Sequence, residues 1–247
     1  MKVSLSLLAL TLGFTATVSA AELHLYAGAG LKSPVEKIIK QFETQTNNKV
    51  TVEYAGSGQL LARYQTTQQG DLYLPGSADY VEKLQQTGDV IESAPLVLHI
   101  PVMAVRKDKA DGIDSLKALA ESNLRIGIGD SKAMALGKGA EKILALSGYE
   151  KALNEKVVVK AGTVKQLMLY LLNGDVDAAV VGRSGAWKEK DKLVILDNPK
   201  GTPEEKVIIA TLKTSQHPKE AKQLLDLFKS AEGVKYFTDE GFLPITQ

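Results

Sequence analysis

Five times along this chain a short apolar strand pattern runs into a glycine- or serine-bearing turn that opens a helix pattern. The segments are LHLYAGAG-LKSPVEKIIKQF (23–42), VTVEYAGSG-QLLARY (50–64), LYLPGS-ADYVEKL (72–84), LRIGIGD-SKAMALG (124–137) and VVVKAG-TVKQLMLYLL (157–172). Alternating strands and helices predict α/β layers with largely parallel sheets. In such sheets ligands bind outside the carboxyl ends of the strands, where these turns lie. Each turn aims backbone N–H groups and the positive end of a helix dipole at that edge. Several of them around one cleft make a place for an anion that needs no lysine or arginine.

The first twenty residues read as a targeting segment. Lys2 gives the positive start, 5–18 is an apolar and small-residue run, and Val18-Ser19-Ala20 fits a cleavage site after Ala20. The run is shorter than the roughly 18–20 apolar residues of a membrane span. No cysteine follows the cleavage point, so no lipid anchor is expected. Removing this segment takes away Lys2 and no acid, leaving 29 basic and 29 acidic residues. A balanced charge argues against a nucleic-acid partner and against long-range steering of anions. With no cysteine in the chain, disulfides, thiol nucleophiles and cysteine metal ligands are excluded.

Two lobes are expected. Helix patterns follow the first three turns, with Ser33 and Ser77 as candidate N-caps and Gly88 as a stop. The run PLVLHIPVMAV (95–105) reads as one buried strand leaving the first lobe for the second. A second α/β set fills 114–204, including helices at 116–121 and 164–173 and a strand at 178–181. KVIIATLK (206–213) then reads as a strand returning to the first lobe. The helix at 219–228 places Ala221, Leu224, Leu225 and Phe228 on one face. The expected division is 21–104 plus 205–247 for one lobe and 105–204 for the other. Two crossings suit a hinge that closes on a ligand.

The candidate chemistry lies in the turns. Ser57, between Gly56 and Gly58, reads either as a cap of the helix that follows or as a hydroxyl donor to an anion. Gly28-Ala29-Gly30 reads either as a tight turn or as the same turn with its N–H groups facing a ligand. The loop 129–137 is long and carries Met134. Ala161-Gly162-Thr163-Val164 and Gly182-Arg183-Ser184-Gly185 follow two further strands, and Arg183 reads either as solvated or as an anion contact. His24, His99 and His217 are scattered, which disfavours a zinc site and gives Ser57 no visible base.

Taken in order and spacing, these strings resemble the periplasmic molybdate/tungstate-binding proteins of ABC importers, across nearly all of the chain after the targeting segment. The matching strings include YAGSGQLLAR, DLYLPGSADYVEKL, IGIGDSKAMALGKGAEKIL, AGTVKQLMLYLLNGDVDAAVV and the closing GFLPI. The resemblance implies the two-lobed type II periplasmic binding-protein fold, each lobe a mainly parallel sheet flanked by helices. It implies an oxyanion held by hydroxyls and backbone N–H groups from both lobes. Carried over, Ser57 matches a hydroxyl donor, with Gly58 beside it. Leu136, with Ala135, matches one backbone donor, and Val164, beside Thr163, another. Gly30, next to Ala29, stands where the first loop often has a serine, and Gly182, before Arg183, where some members place a tyrosine. Two familiar hydroxyls are therefore missing, and Ser77, Thr163, Arg183 or Ser184 are offered as replacements.

The expectation is a periplasmic, monomeric solute-binding protein, not an enzyme, that carries molybdate or tungstate to a membrane ABC permease. It needs no cofactor and no metal cation. The alternative is a different anion on the same fold: sulfate, phosphate or a small organic anion.

Overall fold

The computed structural model describes residues 20–131 and 135–245. Residues 1–19, which carry the expected targeting segment, and Met134 lie outside the described residues.

Two sheets, each covered by helices on both faces, carry the fold. The first contains β1 (Glu22–Gly28), β2 (Lys49–Ala55), β3 (Leu72–Leu74), β4 (Val90–His99), β10 (Glu205–Leu212) and β11 (Leu243–Pro244) in the order β11-β4-β10-β3-β1-β2. The second contains β5 (Pro101–Arg106), β6 (Ile126–Gly129), β7 (Val157–Ala161), β8 (Ala178–Gly182) and β9 (Leu193–Ile195) in the order β7-β6-β8-β5-β9.

Within the two-lobed α/β expectation the sheets are mixed rather than mainly parallel. β1 runs parallel to β2 and β3, and β6 runs parallel to β7 and β8. The strands of the crossings are antiparallel: β10 to β3 and β4, β11 to β4, and β5 to β8 and β9. The run 95–105 is two strands rather than one. It changes sheet at Ile100, so residues 101–104, expected with the first lobe, bond into the second sheet.

Strand alternation divides the core. In β1, Leu23, Leu25 and Ala27 face a cluster closed by α1 (Lys32–Thr46), α9 (Pro218–Lys229) and α10 (Ala231–Thr238). Tyr26 faces the other side, where Leu60, Tyr64, Val81 and Leu84 of α2 (Ser57–Thr67) and α3 (Ala78–Gln86) pack. The second sheet is covered on one face by α4 (Leu116–Glu121), α5 (Ala135–Leu146) and α6 (Glu150–Glu155). α7 (Val164–Asn173) and α8 (Arg183–Lys188) cover the other. Ala221, Leu224, Leu225 and Phe228 are fully buried, as their spacing predicts. Fully burying a large apolar side chain contributes about 1.5–3 kcal/mol, so the amphipathic stripe alone seats α9.

Candidate functional site

The parallel register sets the geometry of the turns. Gly28 pairs with Ala55 and Ala27 with Leu74, so β1, β2 and β3 end at one edge. The three turns there touch. The Gly76 N–H donates to Ser57 Oγ at 3.0 Å, and a β-carbon on Gly28 would lie 3.1 Å from the Gly76 nitrogen. Tyr73 donates its hydroxyl to the Ser57 carbonyl at 2.9 Å. Ser57 Oγ is therefore an acceptor for the neighbouring turn, and its own hydrogen stays available to a ligand. No atom lies within 4 Å of a β-carbon placed at Gly30, so that position faces open space.

The second lobe repeats the pattern. Gly129 pairs with Ala161, and the Asp130 N–H donates to the Ala161 carbonyl at 2.9 Å. Gly137, in the first turn of α5, lets the helix approach the backbone of Asp130 and Ser131, where a β-carbon would come within 2.5 Å. Thr163 caps α7, its hydroxyl accepting from the Gln166 N–H at 3.2 Å. Gly162 faces open space like Gly30.

Helix ends at this edge are sparingly capped. α1, α3 and α8 start at Leu31, Ser77 and Gly182 with no side-chain cap, while at the start of α2 the Gln59 side chain accepts from the Gly56 N–H at 3.1 Å. Ser33 is not the cap of α1; the helix starts one residue earlier and Ser33 donates instead to the Glu240 carboxylate. Ser77 does occupy the cap position of α3, yet its hydroxyl donates to Glu205 Oε2 at 3.0 Å. The first turns of α1, α2 and α8 hold no acidic residue, whereas α3 has Asp79.

The two crossings meet at the same place. His99, the last residue of β4, pairs across the strands with Glu205, the first of β10. A β-carbon on Gly182 would stand 2.7 Å from His99 Nε2, so the imidazole fills the space a side chain there would need. His99 also packs on Phe242, with ring centroids 5.4 Å apart. Burial holds its pKa below the ordinary histidine value, opposed by a hydrogen bond to the Gly76 backbone.

Arg183 is tied down at one end of its guanidinium. Its N–H donates to the Ile100 carbonyl at 2.9 Å, and Nη1 donates to the Gly241 carbonyl at 2.6 Å. Its guanidinium lies over Trp187, 5.1 Å from the ring centroid. Next to it Lys188 reaches Glu240 at 2.7 Å, and Lys37 reaches the same carboxylate at 2.9 Å. Burial pushes the Glu240 pKa up, but the bonds from Lys188, Ser33 and Lys37 outweigh it and hold the carboxyl below its usual range. α8 is thereby fastened to the C-terminal segment of the first lobe.

Of the sequence-predicted positions, Gly30, Ser57 and Gly58 gather at the first-lobe edge, while Thr163, Val164 and Gly182 end strands or open helices of the second. Ala29 lies in a short 3-10 turn beside Gly30. Ala135 and Leu136 open α5. His99, Glu205 and Glu240 were not singled out. Two surface cavities lie elsewhere. One of about 370 Å³ is lined by Glu22, Gly70, Asp71 and His217, among others, at the opposite ends of the first-lobe strands. One of about 470 Å³ lies beside α5 and α6. The turns, where Ser57, Tyr73 and Gly76 meet, form the candidate site. Among the described residues no cluster of His, Asp or Glu is built to hold a metal ion, and no helix is long and apolar enough to cross a membrane.

Comparison with known proteins agrees with this architecture. A Haemophilus influenzae protein, provisionally named a binding protein, is 73% identical over 230 residues, 93% of this chain and 94% of its own. A Bacillus subtilis protein, provisionally named the ABC transporter substrate-binding lipoprotein YvgL, is 29% identical over 227 residues, covering 89% of this chain and 85% of that one. Among solved structures, the substrate-binding domain of a provisionally assigned molybdenum ABC transporter from Clostridium difficile superposes with a TM-score of 0.82 at 22% identity. It covers 92% of this chain and all of that one. The family model for bacterial extracellular solute-binding proteins matches residues 23–243, and the chain belongs to that family.

Proposed function

We propose that this protein captures a small oxyanion between its lobes in the periplasm and hands it to a membrane ABC permease. One observation carries the reading: helices α1, α2 and α3 open at the cleft edge with first-turn N–H groups that no side chain caps, beside the free hydroxyl hydrogen of Ser57. An anion there gains charge-assisted hydrogen bonds from preorganised donors and the favourable helix dipoles. Binding rather than catalysis is supported at Ser57 itself, whose hydroxyl meets the Gly76 N–H and not an imidazole.

Molybdate or tungstate is the first reading of the ligand, supported by the resemblance of the turn sequences and by the molybdenum assignment of the Clostridium difficile neighbour. A different anion, such as phosphate or a small organic anion, is the second. It is favoured by the Glu205 carboxylate at the cleft edge.

Calorimetric titration of ligand-free residues 21–247 with molybdate, tungstate, sulfate and phosphate tests the reading. Tight one-to-one binding of at least one of them is the expected result. Silence with all four contradicts the inorganic ligands and leaves only the small organic anion.

A further inference from the structure

Most of the cleft edge is built from donors, and one group there is the opposite. The Glu205 carboxylate takes a single hydrogen bond, from Ser77 to Oε2, and no described residue bonds Oε1. No lysine or arginine pairs with it among the described residues. It stands at the crossing, opposite His99 on the neighbouring strand, and Ser77 ties it to the first turn of α3. Burial lowers the pKa of His99, its cross-strand neighbour, and so works against a counter-charge there. An ionised carboxylate can only accept hydrogen bonds. A fully ionised oxyanion such as sulfate or molybdate offers it only acceptors and like charge. An anion with an O–H or N–H of its own can instead donate to it.

We propose that Glu205 is a specificity residue that selects anions carrying their own hydrogen-bond donor, namely monohydrogen phosphate or a hydroxyl-bearing organic phosphate, and rejects fully ionised oxyanions. This rests on the anion-capture reading and, within it, takes the second ligand class in place of molybdate or tungstate. Rejection follows from an acceptor of like charge facing an acceptor, at a carboxylate that is partly exposed to solvent. The competing role for Glu205 is to serve the α3 terminus alone, as an acid near a helix N-terminus does. That role leaves ligand preference untouched.

The test is calorimetry near neutral pH on the ligand-free protein and on Glu205→Gln, which keeps the shape and can still accept from Ser77. The probes are inorganic phosphate, glycerol 3-phosphate, propyl phosphate, sulfate and molybdate. The wild type is expected to prefer a donor-bearing probe over sulfate and molybdate by about tenfold or more, the worth of one charge-assisted hydrogen bond. Glu205→Gln is expected to collapse that ratio and to bind sulfate or molybdate more tightly. Preference for inorganic phosphate places the donor on the phosphate itself; preference for glycerol 3-phosphate over propyl phosphate places it on the organic part. A wild type that favours sulfate or molybdate overturns the Glu205 role and leaves anion capture standing. So does a ratio unchanged in Glu205→Gln. Silence with every probe overturns both. If Glu205→Gln does not fold, the order of the wild-type affinities still decides.

Discussion

His99 and Gly182 occupy complementary space: Nε2 of the imidazole stands 2.7 Å from where a Gly182 β-carbon would be. The contact joins the last residue of β4 to the last residue of β8, and so joins the two sheets at the crossing. Gly182→Ala forces the ring or the backbone to move, and overpacking of this kind costs about 1–3 kcal/mol. The expected outcome is a destabilised protein, with His99→Ala/Gly182→Ala losing less than the two single variants together. Urea denaturation of the four proteins in a double-mutant cycle checks it.

His99 also gives the fold a pH dependence. Its folded-state pKa is depressed by burial, so the unfolded chain takes up the proton first as pH falls. The contribution is present above the ordinary histidine value of about 6.5 and is lost on acidification through the depressed folded value. Thermal melts across this range are expected to show a steeper loss of stability in wild type than in His99→Gln. Equal slopes would show that His99 is not buried in the folded protein.

Glu240 is the node of an ion-pair cluster between α1 and α8. Its carboxylate is 7% exposed and accepts from Ser33, Lys37 and Lys188. Hydrogen bonds to a charged group contribute about 1.5–3 kcal/mol each at most, and the two lysines are nearly half exposed, which lowers their share. Glu240→Gln is expected to lose about 1–3 kcal/mol at neutral pH, and Lys188→Met less. Because the folded-state pKa of Glu240 is lowered, its contribution is full above the ordinary glutamate value and fades as pH falls below it. Denaturant midpoints at neutral and acid pH measure both effects.

Ser57 links two turns and offers a hydrogen to the cleft. Ser57→Ala leaves the Gly76 N–H unpaired and removes that donor. A loss of about tenfold in affinity for the bound anion is expected, with a small fall in melting temperature. Unchanged affinity would reduce Ser57 to a loop tie.

Much of the fold is legible in the sequence where periodicity speaks. The helices at 116–121 and 164–173 fall where the apolar spacing puts them. The run 95–105 misleads because two buried strands in different sheets give the same unbroken apolar pattern, and only Pro101 marks the change. β9 is too short to show a period, and α6 buries a single residue, Leu153, so it shows none either. The first-lobe turns were legible from their glycines and serines. His99 and Glu205 were not, since their meeting depends on the pairing of strands far apart in the chain. Arg183 illustrates the same limit: a lone arginine in a turn gives no sign that Gly241, at the far end of the chain, holds it.

The most direct measurement is the set of backbone amides that respond when the anion binds. Nitrogen-15 spectra of ligand-free residues 21–247, recorded before and after saturation with whichever anion the calorimetry identifies, report this residue by residue. The largest shifts are expected at Gly30, Gly58, Ala78 and Val164, in the turns of both lobes. Shifts confined to the cavity around Gly70, Asp71 and His217 would contradict capture at the cleft edge.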